Sequence, residues 1–75
     1  MTKEQRINAL IEKLYGKIGH EKGCFYYESW LNHKAVVEVV NDGGGVRTLL
    51  TDNTPTALLD KLEAIAEYKK FLNKQ

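Results

Sequence analysis

Two apolar stripes at helical spacing, one near each end of the chain, constrain the fold more than any other feature. The first is Ile7, Leu10, Ile11 and Leu14, with Ile18 following. The second is Leu58, Leu62, Ile65 and Leu72, flanked by Leu59, Ala66 and Tyr68. Each recurs at the period that puts apolar side chains on one side of a helix. A helix with one such stripe must bury it against another layer. What lies between the two helices is strand-like, so the partner layer is a sheet.

Local signals mark the helix starts. Thr2 and Gln5 have capping-box spacing, in which hydroxyl and amide satisfy each other's free backbone N–H groups. Thr54-Pro55 combines an N-cap threonine with a proline at the first helical position. The first helix is therefore expected over about Thr2 to Tyr15, ending at Gly16 or Gly19. The stretch from Gly16 to Gly23 reads as a connecting loop, with Ile18 folded back under the helix.

Cys24 to Leu31 is aromatic, and Ala35 to Val40 and Val46 to Thr51 are rich in β-branched residues. All three read as strands. Asn32-His33-Lys34 is short enough for a hairpin, and Asn41-Asp42-Gly43-Gly44-Gly45 is a strong turn signal. The expected fold is α+β: a two-layer sandwich in the order α-β-β-β-α. Its sheet is a three-stranded antiparallel meander with both helices on one face. The 75 residues form a single domain, because separate cores rarely close below about 50 residues each.

A three-residue loop in the first hairpin gives the cleaner inner face. It sets Leu31 against Ala35, Ser29 against Val37 and Tyr27 against Val39, with Phe25 on the same side. The outer face then carries Tyr26, Glu28, Trp30, Val36, Glu38 and Val40. Glu28 falls opposite Glu38, a like-charge pair that needs a cation nearby, and Arg47 on the next strand supplies it. A two-residue loop shifts the register and mixes the sets.

A solvated sheet face is normally polar, whereas this one shows aromatic and β-branched residues around two carboxylates. Tyr, Trp and Arg are enriched where proteins meet proteins. The expected binding surface is thus Tyr26, Glu28, Trp30, Val36, Glu38, Val40 and Arg47. Phe71 joins it as an oligomer contact, because it falls well off the second helical stripe. The partner is another protein or a second copy of the chain.

Eleven Lys and Arg oppose ten Asp and Glu, for a net charge of +1. A dedicated nucleic-acid module is usually far more basic, since phosphate neutralisation supplies most of its affinity. Nucleic-acid binding is therefore the alternative. It would use Lys13, Lys17 and Lys22 with Lys69, Lys70 and Lys74, provided the two helix ends converge. Hydrophobic residues make up 43% and charged residues 28%, an ordinary globular composition with no apolar run of the roughly 20 residues that span a bilayer. No membrane partner is expected. The opening residues, amphipathic with acids among them, are not read as a targeting peptide. One cysteine, Cys24, forms no internal disulfide, which fits a reducing cytoplasm.

The residues that carry chemistry are sparse. His20, Cys24 and His33 are three soft ligands where a structural zinc site wants four, so no metal or other cofactor is expected. Cys24 with either histidine is a dyad on paper, but reads as a small buried strand residue. Glu28 and Glu38 on a flat sheet have no cleft in which to act as acid and base. Gly43-Gly44-Gly45 precedes a strand, whereas a phosphate loop opens a helix. The chain is not expected to be an enzyme, and no catalytic residue is assigned.

The element order resembles the double-stranded-RNA-binding domain along the whole chain. That family opens its last helix with a Lys-Lys-x-Ala-Lys cluster, where this chain reads Thr54-Pro55-Thr56-Ala57-Leu58, with Lys61 the first cation. Of the family's Gly-Pro-x-His loop only His20 has a counterpart, directly after Gly19. The likeness is one of topology, and no functional residue carries over. The chain also resembles short proteins encoded by phages and prophages. The shared features are Gly44-Gly45-Val46-Arg47 after a strand pair and the Leu-rich Leu58-Leu59-Asp60-Lys61-Leu62. Several anti-CRISPR proteins are compact α/β chains of this size; those that mimic DNA are strongly acidic, and this chain is not. Together these readings give a small, non-enzymatic, cytoplasmic protein-binding module, of phage or prophage type, with nucleic-acid binding as the alternative.

Overall fold

A computed structural model describes residues 1–73. It runs α1 (Lys3–Leu14), β1 (Phe25–Trp30), β2 (His33–Val39), β3 (Val46–Asp52) and α2 (Pro55–Asn73). The α+β order expected from the sequence holds. Thr2 caps α1: its hydroxyl accepts from the Gln5 N–H at 3.1 Å, and the Gln5 side chain accepts from the Thr2 N–H at 2.9 Å. The Thr54 hydroxyl accepts from the Ala57 N–H at 3.1 Å at the start of α2. Both caps satisfy N–H groups that a helix leaves unpaired at its first turn.

The strands form an antiparallel sheet in the order β1-β2-β3. Ile7 and Ile11 of α1 meet Leu58, Leu59 and Leu62 of α2 and Val36 of β2 in one buried cluster. Leu10, Leu14, Tyr15, Ile18, Phe25, Tyr27, Leu49 and Leu50 pack around it. A cluster that takes residues from both helices and Val36 places both helices on the Val36 side of the sheet. The helices run parallel. Lys3 donates to the Thr56 hydroxyl, Arg6 pairs with Glu63, and Lys69 donates to the Leu14 carbonyl, so both chains of contacts ascend together.

The first hairpin corrects the expected register. Its loop has two residues, Leu31 and Asn32, and Trp30 pairs with His33. Tyr27 therefore faces Val36, and Glu28 faces Ala35. Strand side chains alternate, so moving the pairing by one residue reverses a whole strand relative to its neighbour. The helix-facing set is Phe25, Tyr27, Ser29, Lys34, Val36 and Glu38. The outer set is Tyr26, Glu28, Trp30, His33, Ala35, Val37 and Val39. The Glu28–Glu38 pair does not form, since the two carboxylates lie on opposite faces. The expected Arg47–Glu38 pair does form, on the helix side.

A bulge between Val36 and Val37 in the pairing with β3 leaves Leu49 as the extra residue. Strict alternation would send Leu49 and Leu50 to opposite faces. The bulge lets both pack against the core cluster. At the tip of the second hairpin, the Asn41 side chain accepts from the Gly43 and Gly45 N–H groups at 2.9 and 3.0 Å. Gly44 takes φ +91°, and a Cβ on Gly45 would lie 2.9 Å from Asn41 Cγ. The glycine run is thus wrapped around one amide.

The linker after α1 is tied to the sheet. Phe25 donates to the Lys17 carbonyl and Gly19 to the Phe25 carbonyl, both at 2.9 Å, so Ile18 pairs alongside Phe25 and covers that edge. α2 outlasts its support. Its 19 residues span about 28 Å against about 18 Å for the 12 of α1. Leu72, expected in the buried stripe, is exposed for this reason, whereas Tyr68, expected beside it, is exposed because it turns off the stripe at a level where Lys69 still reaches α1. Among the described residues no helix is long and apolar enough to cross a membrane.

Candidate functional site

The corrected register divides the expected binding residues. Tyr26, Glu28 and Trp30 stay on the outer face. Val36 is fully buried under the helices and Glu38 turns toward them, so neither belongs to an outer surface. Val40 follows the end of β2 and is partly exposed, and Arg47 is engaged with Glu38. Phe71 stands 59% exposed on the last turns of α2, off the buried stripe as its position on the helical wheel requires.

What remains on the outer face has an apolar centre. Ala35, Val37 and Val39 of the middle strand are all buried, although no helix covers this side. They are small and lie on the middle strand, flanked by β1 on one side and β3 on the other. Tyr26 flanks Val37, and the His20 ring tilts against Tyr26 with centroids 4.5 Å apart. At the first hairpin the side chains stop closing in. Trp30 is 64% exposed and Leu31 is 91% exposed. The Lys34 ammonium donates to the Trp30 carbonyl, tying down the base of this tip. His33 Nε2 lies 3.8 Å from Glu28 Oε2, diagonally across the same face.

Sequence reasoning misses Leu31 and His33 because it starts the loop at Asn32, one residue too late. Short hairpins usually announce themselves through a residue at positive φ. Here both loop residues keep negative φ, since no residue other than glycine is at positive φ among those described. The local sequence therefore carries no such signal.

The lysines of the alternative reading are gathered only in part. Lys13, Lys69 and Lys70 meet where the helix ends converge, lining a groove of about 420 Å³ with Leu14, Ala66 and Asn73. Lys69 donates to the Leu14 carbonyl at 3.0 Å, and its ammonium lies 5.7 Å from the centre of the Tyr15 ring. Burial pushes the Tyr15 phenol above its ordinary pKa. Lys17 and Lys22 sit in the linker, which is bonded to β1 and β2 and does not line the groove. Lys74 lies outside the described residues.

The cysteine and the two histidines do not all come together. Cys24 is buried beside Gly19 and Val39, while His33 is at the opposite end of the strands. Among the described residues no three of His, Cys, Asp and Glu are grouped to hold a metal. Compared with known proteins, the chain matches no family model, no curated protein and no solved structure.

Proposed function

We propose that the chain is a small protein-binding module, not an enzyme, working in a reducing compartment such as the cytoplasm. The observation that carries this reading is the first hairpin. It leaves Trp30 and Leu31, neighbours in sequence, as the two most exposed large hydrophobics at the β1–β2 end of an apolar-centred sheet face. A large aromatic and a neighbouring aliphatic held on a short, braced turn have little conformational freedom to lose. Such side chains make anchor residues when a partner offers a pocket.

The partner is a different protein with an apolar recess, in preference to a second copy. Strands of six and seven residues and three strands of width give a face of about 20 by 15 Å, on the order of 300 Å². A stable specific interface, symmetric or not, buries about 800 Å² per partner, so the projecting tip has to add contact area to this face. A convex tip also needs a concave counterpart, and the groove that this chain offers is rimmed by lysines. The cysteine count of one, which allows no internal disulfide, fits a compartment where thiols stay reduced.

Affinity capture from cells that make the protein, run in parallel with Trp30→Ala and Leu31→Asp, tests the reading. A partner retained by the natural chain and lost by both variants supports it, provided both keep the natural far-ultraviolet circular dichroism. Retention of every partner by both variants refutes it.

A further inference from the structure

The seam between α1 and α2 changes sign along its length. Near its start Lys3 donates to Thr56, and Arg6 pairs with Glu63 at 3.0 Å. The helices are parallel, so a step of seven residues on each brings the same geometry round again two turns on. Seven beyond Arg6 is Lys13, and seven beyond Glu63 is Lys70. An opposite-charge pair is thus repeated as a like-charge pair, and both lysines line the groove of about 420 Å³. Neither makes an ion pair among the described residues.

Lys69 adds a third cation, but it is already used. It covers the Leu14 carbonyl at the C-terminal end of α1, where the helix dipole places about half a negative charge. Among the described residues, the groove charges that no ion pair answers are therefore those of Lys13 and Lys70. Between them the floor is apolar, made by Leu14 and Ala66. Ala66 sits one turn after Glu63, where another carboxylate would have answered Lys13.

We infer that this groove docks an acidic peptide segment of a partner protein, which sets a carboxylate between Lys13 and Lys70 and an aliphatic side chain on Leu14 and Ala66. The segment supplies the charge that the seam lacks. Nucleic acid fits less well. Single strands want aromatic platforms for their bases, and the aromatics of this end of α2, Tyr68 and Phe71, project from other sides of the helix than Ala66 and Lys70. Duplexes want longer runs of cations than two. The site is separate from the Trp30 surface and does not depend on it.

The test is titration of the isotopically labelled protein with a ten-residue peptide alternating glutamate and leucine, followed by amide NMR shifts. Controls are the same peptide with glutamine for glutamate, one with serine for leucine, and a thymidine oligonucleotide. Saturable shifts centred on Leu14, Ala66 and Lys70 are expected. Binding should weaken about tenfold or more with either control peptide, a change of roughly 1.4 kcal/mol. The variant Lys70→Glu restores the Arg6–Glu63 pattern with Lys13. It should abolish peptide binding while leaving the thermal midpoint nearly unchanged, because the new pair with Lys13 is offset by an anion in the last turn of α2, a combination that simple unfolding cannot produce. Trp30→Ala should bind the peptide as the natural chain does, which separates this inference from the hairpin reading. Absence of saturable shifts, equal binding of the control peptides, tighter binding of the oligonucleotide, or unchanged binding by Lys70→Glu would each overturn it.

Discussion

Tyr27 stands directly opposite Val36, and both point at the helices. This pairing decides which half of the β2 residues is core and which is surface. A charge at Val36 would have to enter the cluster of Ile7, Ile11, Leu58 and Leu62 without a partner. A chain of this length has about 4–11 kcal/mol of stability. Val36→Glu is therefore expected to abolish the cooperative unfolding transition. Val40→Glu, at a partly exposed position, should shift stability by less than about 0.5 kcal/mol. Urea denaturation of the two variants measures both. Similar losses in each would contradict the register.

Lys69 links the two helices through the end of α1. Its ammonium meets the Leu14 carbonyl and approaches the Tyr15 ring. Lys69→Met keeps much of the aliphatic stem and removes the charge. Removing a cation at a helix C-terminus should destabilise by about 0.3–1 kcal/mol. The loss should shrink in high salt for the natural chain, because the contact is exposed.

The helix caps and both helical stripes were readable because they depend on neighbours three and four residues away. Thr2 with Gln5, and Thr54 with Pro55, need nothing from the rest of the chain. The sheet was readable in order but not in register. Trp30 and His33 pair across a loop whose residues carry no positive-φ signature, and Leu49 is absorbed by a bulge that only the core beneath it requires. The same limit fell on the candidate site. Tyr26, Glu28 and Trp30 share a strand, and their common face followed from alternation alone. Joining Val36 and Glu38 to them requires a three-residue loop, and the two-residue loop puts both on the other face. Exposure of Tyr68 and Leu72 was hidden for a different reason. For Leu72 the helical pattern continues past the point where α1 and the sheet support it, and Tyr68 lies to the side of the stripe that they cover.

Asn41 organises the second hairpin by accepting from two backbone N–H groups at once. Asn41→Ala leaves both to water on an exposed tip. The expected cost is about 1 kcal/mol for the pair, since each hydrogen bond there competes with solvent. Native-state hydrogen exchange should show faster exchange at Gly43 and Gly45, with the core amides changed only by the global loss. Unaltered exchange at both glycines would mean that the side chain does not hold the turn.

Asp52 ends β3 and joins it to α2. Its carboxylate accepts from the Asn53 N–H at 2.7 Å and pairs with the Lys61 ammonium at 3.2 Å. Lys61 also donates to the Thr51 carbonyl, so one cation fastens the helix to the strand end. The Asn53 N–H first, and then Lys61, hold the Asp52 carboxyl below its ordinary pKa of 3.8. A carboxyl with a lower pKa in the folded state binds protons more readily when unfolded. Its contribution to stability is therefore full above the unfolded value. It declines as the pH falls through the window between that value and the folded one, and is gone below both. Asp52→Asn keeps an acceptor for Asn53 but has no charge to lose. Urea denaturation between about pH 2 and pH 6 should show the natural chain losing more stability on acidification than the variant. The two curves should converge at the acid end. Parallel curves across the whole range would mean that Asp52 titrates alike in both states.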